Sequence, residues 1–294
     1  MKWDDDALKL AEEVPVPPLM TYLVKLDAER RAIAKKMDRV TAGIVKVTSK
    51  GYQRTFGKEA SKVIKAMLEG QDVDLPEEFF EEEEEELYKI EICPAKFGAC
   101  TADKREMIRS LLTPLRQKLK ELDITRVVME SARSPLMSHH VFRIPIIGCP
   151  NCCMSPFFSD FGIIAVYKPA VKDEGCIKCK ACLKPCIENA ITLDDDKPVI
   201  DYSKCVMCGG CELACEKDVI FTEAKGYKIV VGGTGSRHPK LAETVTDFID
   251  REGVLTILEK SVNLFKEKTT GKNELSFHKV IEKYGNFTRR LIPK

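Results

Sequence analysis

The chain has no long apolar run, no excess of charge and no export signal. No stretch of ~18 uncharged apolar residues occurs, so no membrane-spanning helix is predicted. Lysine and arginine number 47 and aspartate and glutamate 46, so no strong field directs the protein to nucleic acid or to an anionic membrane. The first six residues lack the basic and apolar regions of a signal peptide. We therefore expect a soluble, cytoplasmic protein.

A dinucleotide-binding fingerprint is also absent. The glycines of Gly232-Gly233-Thr234-Gly235 do not follow the G-x-G-x-x-G spacing that precedes a helix in such domains. The chain therefore carries no predicted flavin or nicotinamide site of its own.

Cysteine, in contrast, is abundant. There are 13 cysteines in 294 residues, and in a protein without an export signal they serve more often as metal ligands than as disulfides. Eight of them form two identical C-x2-C-x2-C-x3-C runs, at 176–186 and 205–215. Each such run gives three thiolates to one [4Fe-4S] cluster and its fourth to the other. Zinc sites use paired knuckles instead of two overlapping runs of four.

This crossover rule assigns a ligand set to each predicted cluster. Cluster one is held by Cys176, Cys179, Cys182 and Cys215. Cluster two is held by Cys205, Cys208, Cys211 and Cys186. Four further cysteines, spaced C-x6-C and C-x3-C, suffice for a third [4Fe-4S] cluster: Cys93, Cys100, Cys149 and Cys153.

Hydrophobic periodicity predicts an α+β fold. Helices are expected within 7–40, where prolines at 15–18 form a hinge, and over 58–70, 106–122 and 241–267. Strands are expected over 43–50, 141–147, 162–167 and 226–231. Residues 72–86 end in six glutamates and are interpreted as an acidic linker. Cys149 and Cys153 then follow a strand, and Cys93 and Cys100 precede a helix.

Two further features have alternative explanations. Lys46, Lys50 and Arg54 are expected to lie close together, as part of a solvated polar face or, alternatively, of an anion site. The glycine-rich segment 232–239 contains Arg237 and suits the approach of an anionic cofactor to the backbone, although tight turns use the same residues.

Several of these motifs together resemble one family. Gly148-Cys149-Pro150-Asn151 with Cys153, followed by Asp-Phe-Gly-Ile-Ile at 160–164, is similar to the sirohaem-cluster motif of sulfite and nitrite reductases. Val47-Thr48-Ser49-Lys50 looks like that family's Thr-x-Arg strand end, with lysine in place of arginine. The order of elements resembles the C subunits of anaerobic, dissimilatory-type sulfite reductases, and the resemblance covers residues 87–290.

The resemblance implies a fold and a domain division. The fold is a sirohaem/[4Fe-4S] reductase-like mixed αβ domain with an inserted bacterial-type 2[4Fe-4S] ferredoxin domain. The expected domains are a divergent N-terminal half-module at 1–86, the sirohaem/[4Fe-4S] domain at 87–170 and 225–294, and the ferredoxin domain at 171–224. One departure is that Cys93 and Cys100 follow C-x6-C spacing, where the family has C-x5-C.

The resemblance also implies cofactors and a reaction. The cofactors are three [4Fe-4S] clusters and a sirohaem, with the Cys153 sulfur as the bridge between them and Cys152 as a packing residue. The reaction is the six-electron reduction of sulfite to sulfide. A ferredoxin or flavin-containing partner subunits would deliver the electrons through the two ferredoxin clusters, so a hetero-oligomer is expected.

The same resemblance names residues for two roles. Those expected at the sirohaem, besides Cys153, are Thr48, Asn151, Gly232, Gly233 and Arg237. Basic residues neutralise an oxyanion and supply protons, and the candidates for this catalytic role are Lys46, Lys50, Arg54 and Arg143.

Two other functions fit the same sequence. Nitrite reduction to ammonia uses the same centre and differs in the size and charge of the pocket. A non-catalytic iron–sulfur electron-transfer subunit that has lost sirohaem is favoured by the divergent N-terminal half-module. The inserted two-cluster unit favours the sulfite branch.

Overall fold

The computed structural model describes residues 1–16, 20–52, 86–93, 102–269 and 276–284. The chain divides into two compact units. Unit 1 comprises 1–89, 123–142 and 265–276, and unit 2 comprises 90–122, 143–264 and 277–294. The boundary after Lys89 lies close to the predicted one at residue 86, whereas 123–142 and 265–276 join the N-terminal unit. The predicted three-domain division stays a prediction.

Unit 1 begins with helices and one short strand pair. The helices are α1 (Asp5–Glu12), α2 (Thr21–Ala34) and α3 (residues 42–52). Strands β1 (Lys2–Trp3) and β2 (Arg39–Val40) pair in parallel. The two helices predicted within 7–40 are therefore confirmed. The predicted helix over 58–70 lies outside the described residues, as does the acidic linker up to residue 85.

The strand predicted over 43–50 is wrong, because these residues belong to α3. Ile44, Val45 and Thr48 are buried, while Lys46 and Lys50 are exposed. That spacing of three to four is the period of a helix. Over eight residues the helical and strand periods overlap, and the β-branched residues favoured the strand. Burial of one helical face overrides that propensity.

Buried polar groups hold the interior of unit 1 together. Asp27 on α2 is fully buried, and Arg30 Nη2 lies 3.2 Å from its Oδ1. Arg30 also donates to Met129 O at 3.1 Å, in helix α5 (Ile124–Ser131). Tyr52, at the end of the described part of α3, is fully buried and donates to Leu136 O at 2.6 Å. The buried Tyr52 hydroxyl thus has a hydrogen-bond partner, as burial requires, whereas Asp27 Oδ1 has the ion pair with Arg30 but no hydrogen bond within the described residues.

A five-stranded sheet runs through the described part of unit 2. Its order is β3-β4-β5-β8-β9. The strands are β3 (Tyr88–Ile92), β4 (Phe142–Ile147), β5 (Phe161–Val171), β8 (Ile220–Val231) and β9 (Glu243–Ile249). β4 and β5 are parallel, whereas β5–β8 and β8–β9 are antiparallel. The strands predicted over 141–147, 162–167 and 226–231 are confirmed, and so is the α+β class.

Helices pack beside this sheet. α4 (Ala102–Glu121) buries Ile108, Leu111 and Leu115 at helical intervals, and it lies against β5. The hydroxyl of Tyr227 on β8 donates to Met107 O at 2.8 Å, which fixes α4 to the sheet. The helix predicted over 106–122 is therefore confirmed. Two further helices of the described part of the chain are α7 (Arg251–Thr269) and α8 (Phe277–Lys283).

The helix predicted over 241–267 is correct only from Arg251 onward, because its first part is strand β9. Thr244, Val245 and Thr246 are β-branched and fit a strand that pairs with β8. Asp250 then ends the strand and caps α7, since its Oδ1 accepts the Gly253 N–H at 2.8 Å.

The segment between β5 and β8 contains both cysteine runs. It has a hairpin of β6 (Ile191–Asp194) and β7 (Lys197–Ile200) and a short helix, α6 (Gly210–Leu213). None of the helices in the described ranges combines the length and the apolar character needed to span a bilayer.

Replacing Tyr52 by phenylalanine tests the buried contact in unit 1. Because Leu136 O would lose its donor, we expect the free energy of unfolding to fall by about 1–3 kcal/mol. Urea denaturation followed by circular dichroism measures the difference. Tyr202→Phe is the matched control, since Tyr202 is 54% exposed and donates to Pro169 O at 2.9 Å. An equal loss in both variants would contradict the importance of burial at Tyr52.

Candidate metal centres

The two cysteine runs share a pattern of left-handed backbone positions. Residues in the second run lie 29 positions after their equivalents in the first. Two equivalent positions within the runs and one just after each have positive φ: Lys178 (60°), Lys180 (62°) and Asn189 (50°) in the first half, and Met207 (55°), Gly209 (76°) and Asp218 (50°) in the second. Left-handed residues turn successive N–H groups towards one point, which suits a negatively charged centre. The segment is therefore an approximate two-fold repeat in structure as well as in sequence.

The core of this segment follows the same symmetry. Buried Cys182 and Ile191 correspond to buried Cys211 and Ile220, and they pack together with Ile200. The third cysteine of each run thus points into a shared apolar core. The segment needs both halves to bury that core, so neither run is an independent unit.

One pocket gathers thiols from both runs. Its lining includes Cys176, Cys179 and Cys182 from the first run and Cys215 from the second. Burial raises the pKa of the Cys182 thiol, and the neighbouring Cys215, Cys179 and Cys176 raise it further. These are the four residues that the crossover rule assigns to cluster one.

The second predicted set also combines both runs. Burial raises the pKa of Cys205, and the nearby Cys208 and Cys186 add to the effect. Burial likewise raises the pKa of Cys211 to about 11, and Cys208 and Cys205 contribute. Cys186 therefore lies beside thiols of the second run, as the crossover rule for cluster two requires.

Backbone amides donate to several of these sulfurs. Such hydrogen bonds favour the thiolate form that binds metal. The donor–acceptor pairs are Ala190 N to Cys186 Sγ (3.3 Å), Met207 N to Cys205 Sγ (3.4 Å) and Ile220 N to Cys215 Sγ (3.5 Å). Within the described ranges, no three His, Cys, Asp or Glu side chains are arranged to hold a single metal ion. None of the 12 described cysteines forms a disulfide.

A third group of cysteines lies at the ends of neighbouring strands. Cys93 follows β3 and is 4% exposed, and Cys149 lies just after β4 and is 7% exposed. Cys93 N–H donates to Ile146 O at 3.1 Å, and Gly148 N–H donates to Cys93 Sγ at 3.3 Å. Hydrogen bonds between adjacent strand ends therefore bring Cys93 to the turn of Cys149. Cys100 lies outside the described residues.

The turn continues through Cys152 and Cys153. Cys152 N–H donates to Cys149 O at 3.2 Å, and Cys152 has a φ of 49°. Burial raises the pKa of the Cys152 thiol to about 11, and Cys149 and Cys153 raise it further. Cys153 is exposed, whereas Cys152 is half-buried. The packing role of Cys152 and the bridging role of Cys153 stay predictions.

The glycine-rich segment packs tightly against the chain that follows this turn. Gly232 N–H donates to Asp160 O and Gly233 N–H donates to Ser159 O, both at 2.9 Å. A Cβ added at Gly233 would lie 2.2 Å from Phe157 O, so only glycine fits. The segment thereby follows the chain between Cys153 and β5. Arg237 lies further along it and is exposed, and Asn151 in the cysteine turn is exposed as well.

The basic candidate in unit 2 is engaged with a carboxylate. Arg143 is on β4, its side chain is 52% exposed, and its Nη2 donates to both Glu91 oxygens at 2.8 and 2.9 Å. Its backbone N–H donates to Asp160 Oδ2 at 2.9 Å. Burial of that carboxyl raises the pKa of Asp160 to about 7, although the Arg143 N–H opposes the shift. Sequence reasoning did not indicate this shift, because Asp160 is there simply the polar residue before a buried strand.

The candidates in unit 1 lie on α3 instead of a strand end. Thr48 is fully buried, and its hydroxyl donates to Ile44 O at 3.1 Å within the helix. Lys46 and Lys50 are exposed on the same helix, and Arg54 lies outside the described residues. The strand end on which the Thr48 role depended is absent, and the functional roles of these residues stay predictions.

Sequence reasoning also missed Tyr167. Its hydroxyl donates to Gly148 O at 3.1 Å, and its backbone N–H donates to Met207 O at 2.7 Å. The residue therefore contacts both the turn of Cys149 and the loop of Cys205 and Cys208. The available signal was a lone polar aromatic residue in the aliphatic run at 162–167.

Comparison with known proteins gives a consistent set of relatives. Residues 124–286, more than half of the chain, match the family described as nitrite and sulphite reductase 4Fe-4S domain. The anaerobic sulfite reductase C subunit of Salmonella typhimurium is 30% identical over 115 residues, which cover 39% of this chain and 34% of that protein. Coenzyme F420-dependent sulfite reductase of Methanocaldococcus jannaschii is 36% identical over 96 residues, which cover 33% of this chain and 16% of that protein.

A solved structure of dissimilatory sulfite reductase I has 18% identity and a TM-score of 0.39, covering 51% of this chain and 42% of that one. The chain thus matches a minor part of the length of each curated relative named here.

Gly233→Ala tests the close packing of the glycine-rich segment. The added methyl group would overlap Phe157 O, and overpacking of this kind typically costs about 1–3 kcal/mol. We expect a lower Tm in thermal denaturation. Gly235→Ala is the matched control, because its nearest neighbour would be Phe158 Cβ at 3.8 Å. An unchanged Tm for Gly233→Ala would show that the segment can move away from Phe157.

Proposed function

Because the chain belongs to the nitrite and sulphite reductase 4Fe-4S domain family, we propose that it is the cluster-bearing subunit of a reductase that converts sulfite to sulfide with six electrons. The observation that carries the proposal is the meeting of Cys215 with Cys176, Cys179 and Cys182 in one pocket. A crossover of this kind is the arrangement of a two-cluster ferredoxin, which carries single electrons. Sulfite is preferred to nitrite because the named curated relatives are sulfite reductases.

The donor sets fit iron–sulfur clusters. The match to a 4Fe-4S domain family supports the presence of an iron–sulfur cluster. From the three sets of four cysteines we propose three such clusters. Amides donate to Cys186, Cys205, Cys215 and Cys93 at 3.3–3.5 Å. Hydrogen bonds to cluster sulfurs are one of the means by which proteins set reduction potentials. The inserted segment is therefore proposed as the 2[4Fe-4S] ferredoxin domain.

The residues also fit a sirohaem, with one change from the sequence-based expectation. Cys153 is exposed and so accessible as the bridging thiolate. Gly232 and Gly233 already donate their amides to Asp160 and Ser159. Arg237, which is exposed, is therefore the better candidate to hold a cofactor carboxylate. When bound, sirohaem supplies an iron at which the sulfur of sulfite is bound and reduced.

The chain's own residues would neutralise the charge of the substrate and supply it with protons. Basic side chains neutralise an oxyanion, and the exposed Lys46 and Lys50 remain candidates together with Arg143. Burial raises the pKa of Asp160 to about 7, which makes this carboxyl a candidate proton donor near neutral pH. Electrons are proposed to come from a ferredoxin or a flavin-containing partner subunit, and a hetero-oligomer accords with the subunit status of the Salmonella relative.

A second candidate function is electron transfer without sirohaem. Two observations favour it. Thr48 is buried on a helix, where its hydroxyl bonds to Ile44 O. Arg143 is paired with Glu91. In this case the chain would deliver electrons to a catalytic subunit and bind no substrate itself.

The absorption spectrum of protein purified without oxygen distinguishes the two candidates. We expect sirohaem bands in addition to the broad iron–sulfur absorption, because iron–sulfur clusters alone lack such bands. Iron and sulfide analysis of the same sample should give three [4Fe-4S] clusters per chain. Clusters without sirohaem bands would contradict the reductase and support the electron-transfer subunit.

Serine substitution at the fourth cysteine of each run tests the crossover. Cys215→Ser should remove cluster one, although Cys215 belongs to the second run, and Cys186→Ser should remove cluster two. Electron paramagnetic resonance of the reduced variants, together with iron content, measures the losses. Cys152→Ser is the control and should keep all clusters. If each serine variant instead lost the cluster of its own run, the assignment would be wrong.

A further inference from the structure

Tyr167 connects two of the cysteine groups by direct contacts. Its backbone N–H donates at 2.7 Å to Met207 O, which lies between Cys205 and Cys208 in the sequence. Its hydroxyl donates at 3.1 Å to the carbonyl oxygen of Gly148, which precedes Cys149 in the sequence. The residue is 3% exposed, so the contacts are shielded from water. Shielded hydrogen bonds of this kind are costly to leave unmade.

The loop that rests on Tyr167 belongs to one of the two runs only. Gly209 has a φ of 76°, and a Cβ added there would lie 3.5 Å from Tyr167 Cβ and Cγ. Its equivalent in the first run is Lys180, which has a similar φ of 62° but is exposed. Cys179 in the first run is exposed, whereas its equivalent Cys208 is half-buried. The two halves of the repeat therefore differ in their surroundings, because only the second run packs against Tyr167 on β5.

We propose that Tyr167 is a positioning residue that holds the loop of cluster two against the turn of the third cysteine group. Cluster two is then the neighbour of that group, and cluster one is the outer cluster. The proposal rests on the proposed function, because it concerns the clusters. It goes beyond that function, since the cysteine spacing gives the same pattern to both runs and does not order the clusters.

The contact has a consequence for the third cluster. Gly148 accepts from the Tyr167 hydroxyl and donates its own N–H to Cys93 Sγ at 3.3 Å. An N–H donor to a cluster thiolate favours the reduced, more negative state and so raises the reduction potential. If the phenol is removed, the turn of Gly148 loses an anchor and the bond to Cys93 weakens. The potential of the third cluster should then fall.

Tyr167→Phe in the protein purified with its clusters tests this. Redox titration followed by electron paramagnetic resonance should show a lower midpoint potential for the third cluster, identified by its absence in Cys149→Ser. The potentials of clusters one and two should be unchanged. Hydrogen exchange of the Gly148 amide should become faster by about tenfold or more, since one buried hydrogen bond is lost. Tyr202→Phe loses a comparable hydroxyl, bonded to Pro169 O at 2.9 Å, and should change neither quantity.

Different outcomes would overturn the role of Tyr167 and the proposed function. Three clusters in the variant, with an unchanged third potential and unchanged Gly148 exchange, would overturn the role of Tyr167 alone. A potential shift at cluster one as large as at the third cluster would also overturn the order of clusters. Wild-type protein without the signal of the third cluster would overturn the proposed function itself.

Discussion

The antiparallel pairing of β5 with β8 is the constraint on which the rest of unit 2 depends. It runs from Phe161 opposite Val231 to Val171 opposite Ile220, with one irregularity at Lys168 and Pro169. The cysteine-rich segment leaves the sheet at one end of this pair and returns beside its own departure point. An insertion closed in this way adds little loop entropy to the surrounding fold. The other end of the pair reaches the glycine-rich segment, so one ladder of hydrogen bonds positions both predicted sites.

Burial makes the thiolate form of several cysteines unfavourable. The pKa values of Cys182, Cys205 and Cys211 are raised because a thiolate is poorly solvated where these side chains lie. Bringing several such groups together is unfavourable unless cations share the site. Iron bound at the thiols, as proposed, would remove that cost, as metal binding does wherever ligands must be deprotonated. The amide donors around the sulfurs add to the same effect, so the backbone of the segment already suits a negative centre.

The sequence was informative where chemistry fixes the spacing. The identical cysteine intervals of the two runs predicted that Cys215 would lie near Cys176, and both residues line one pocket. Their role as iron ligands stays a prediction. Long periodic elements such as α4 were also predictable. Short amphipathic segments were not: α3 and β9 were assigned the wrong type, because over seven or eight residues burial by neighbours decides the conformation. Tyr167 escaped notice because its two partners, Gly148 and Met207, are distant in sequence.

The difference between Gly209 and Lys180 affects how the cysteine-rich segment can be oriented on the sheet. Both positions share the left-handed backbone, so a half-turn about the approximate two-fold axis would exchange them. After such a turn a lysine side chain would have to occupy the space that Gly209 leaves against Tyr167. The lysine Cβ would lie 3.5 Å from Tyr167, which is an ordinary van der Waals contact, so the backbone could be accommodated there. The charged lysine side chain, which is exposed in the first run, would however lie beside a buried aromatic residue and lose part of its hydration. The two runs share their cysteine spacing but differ in polarity at this position, so solvation favours one orientation of the duplicated segment on β5.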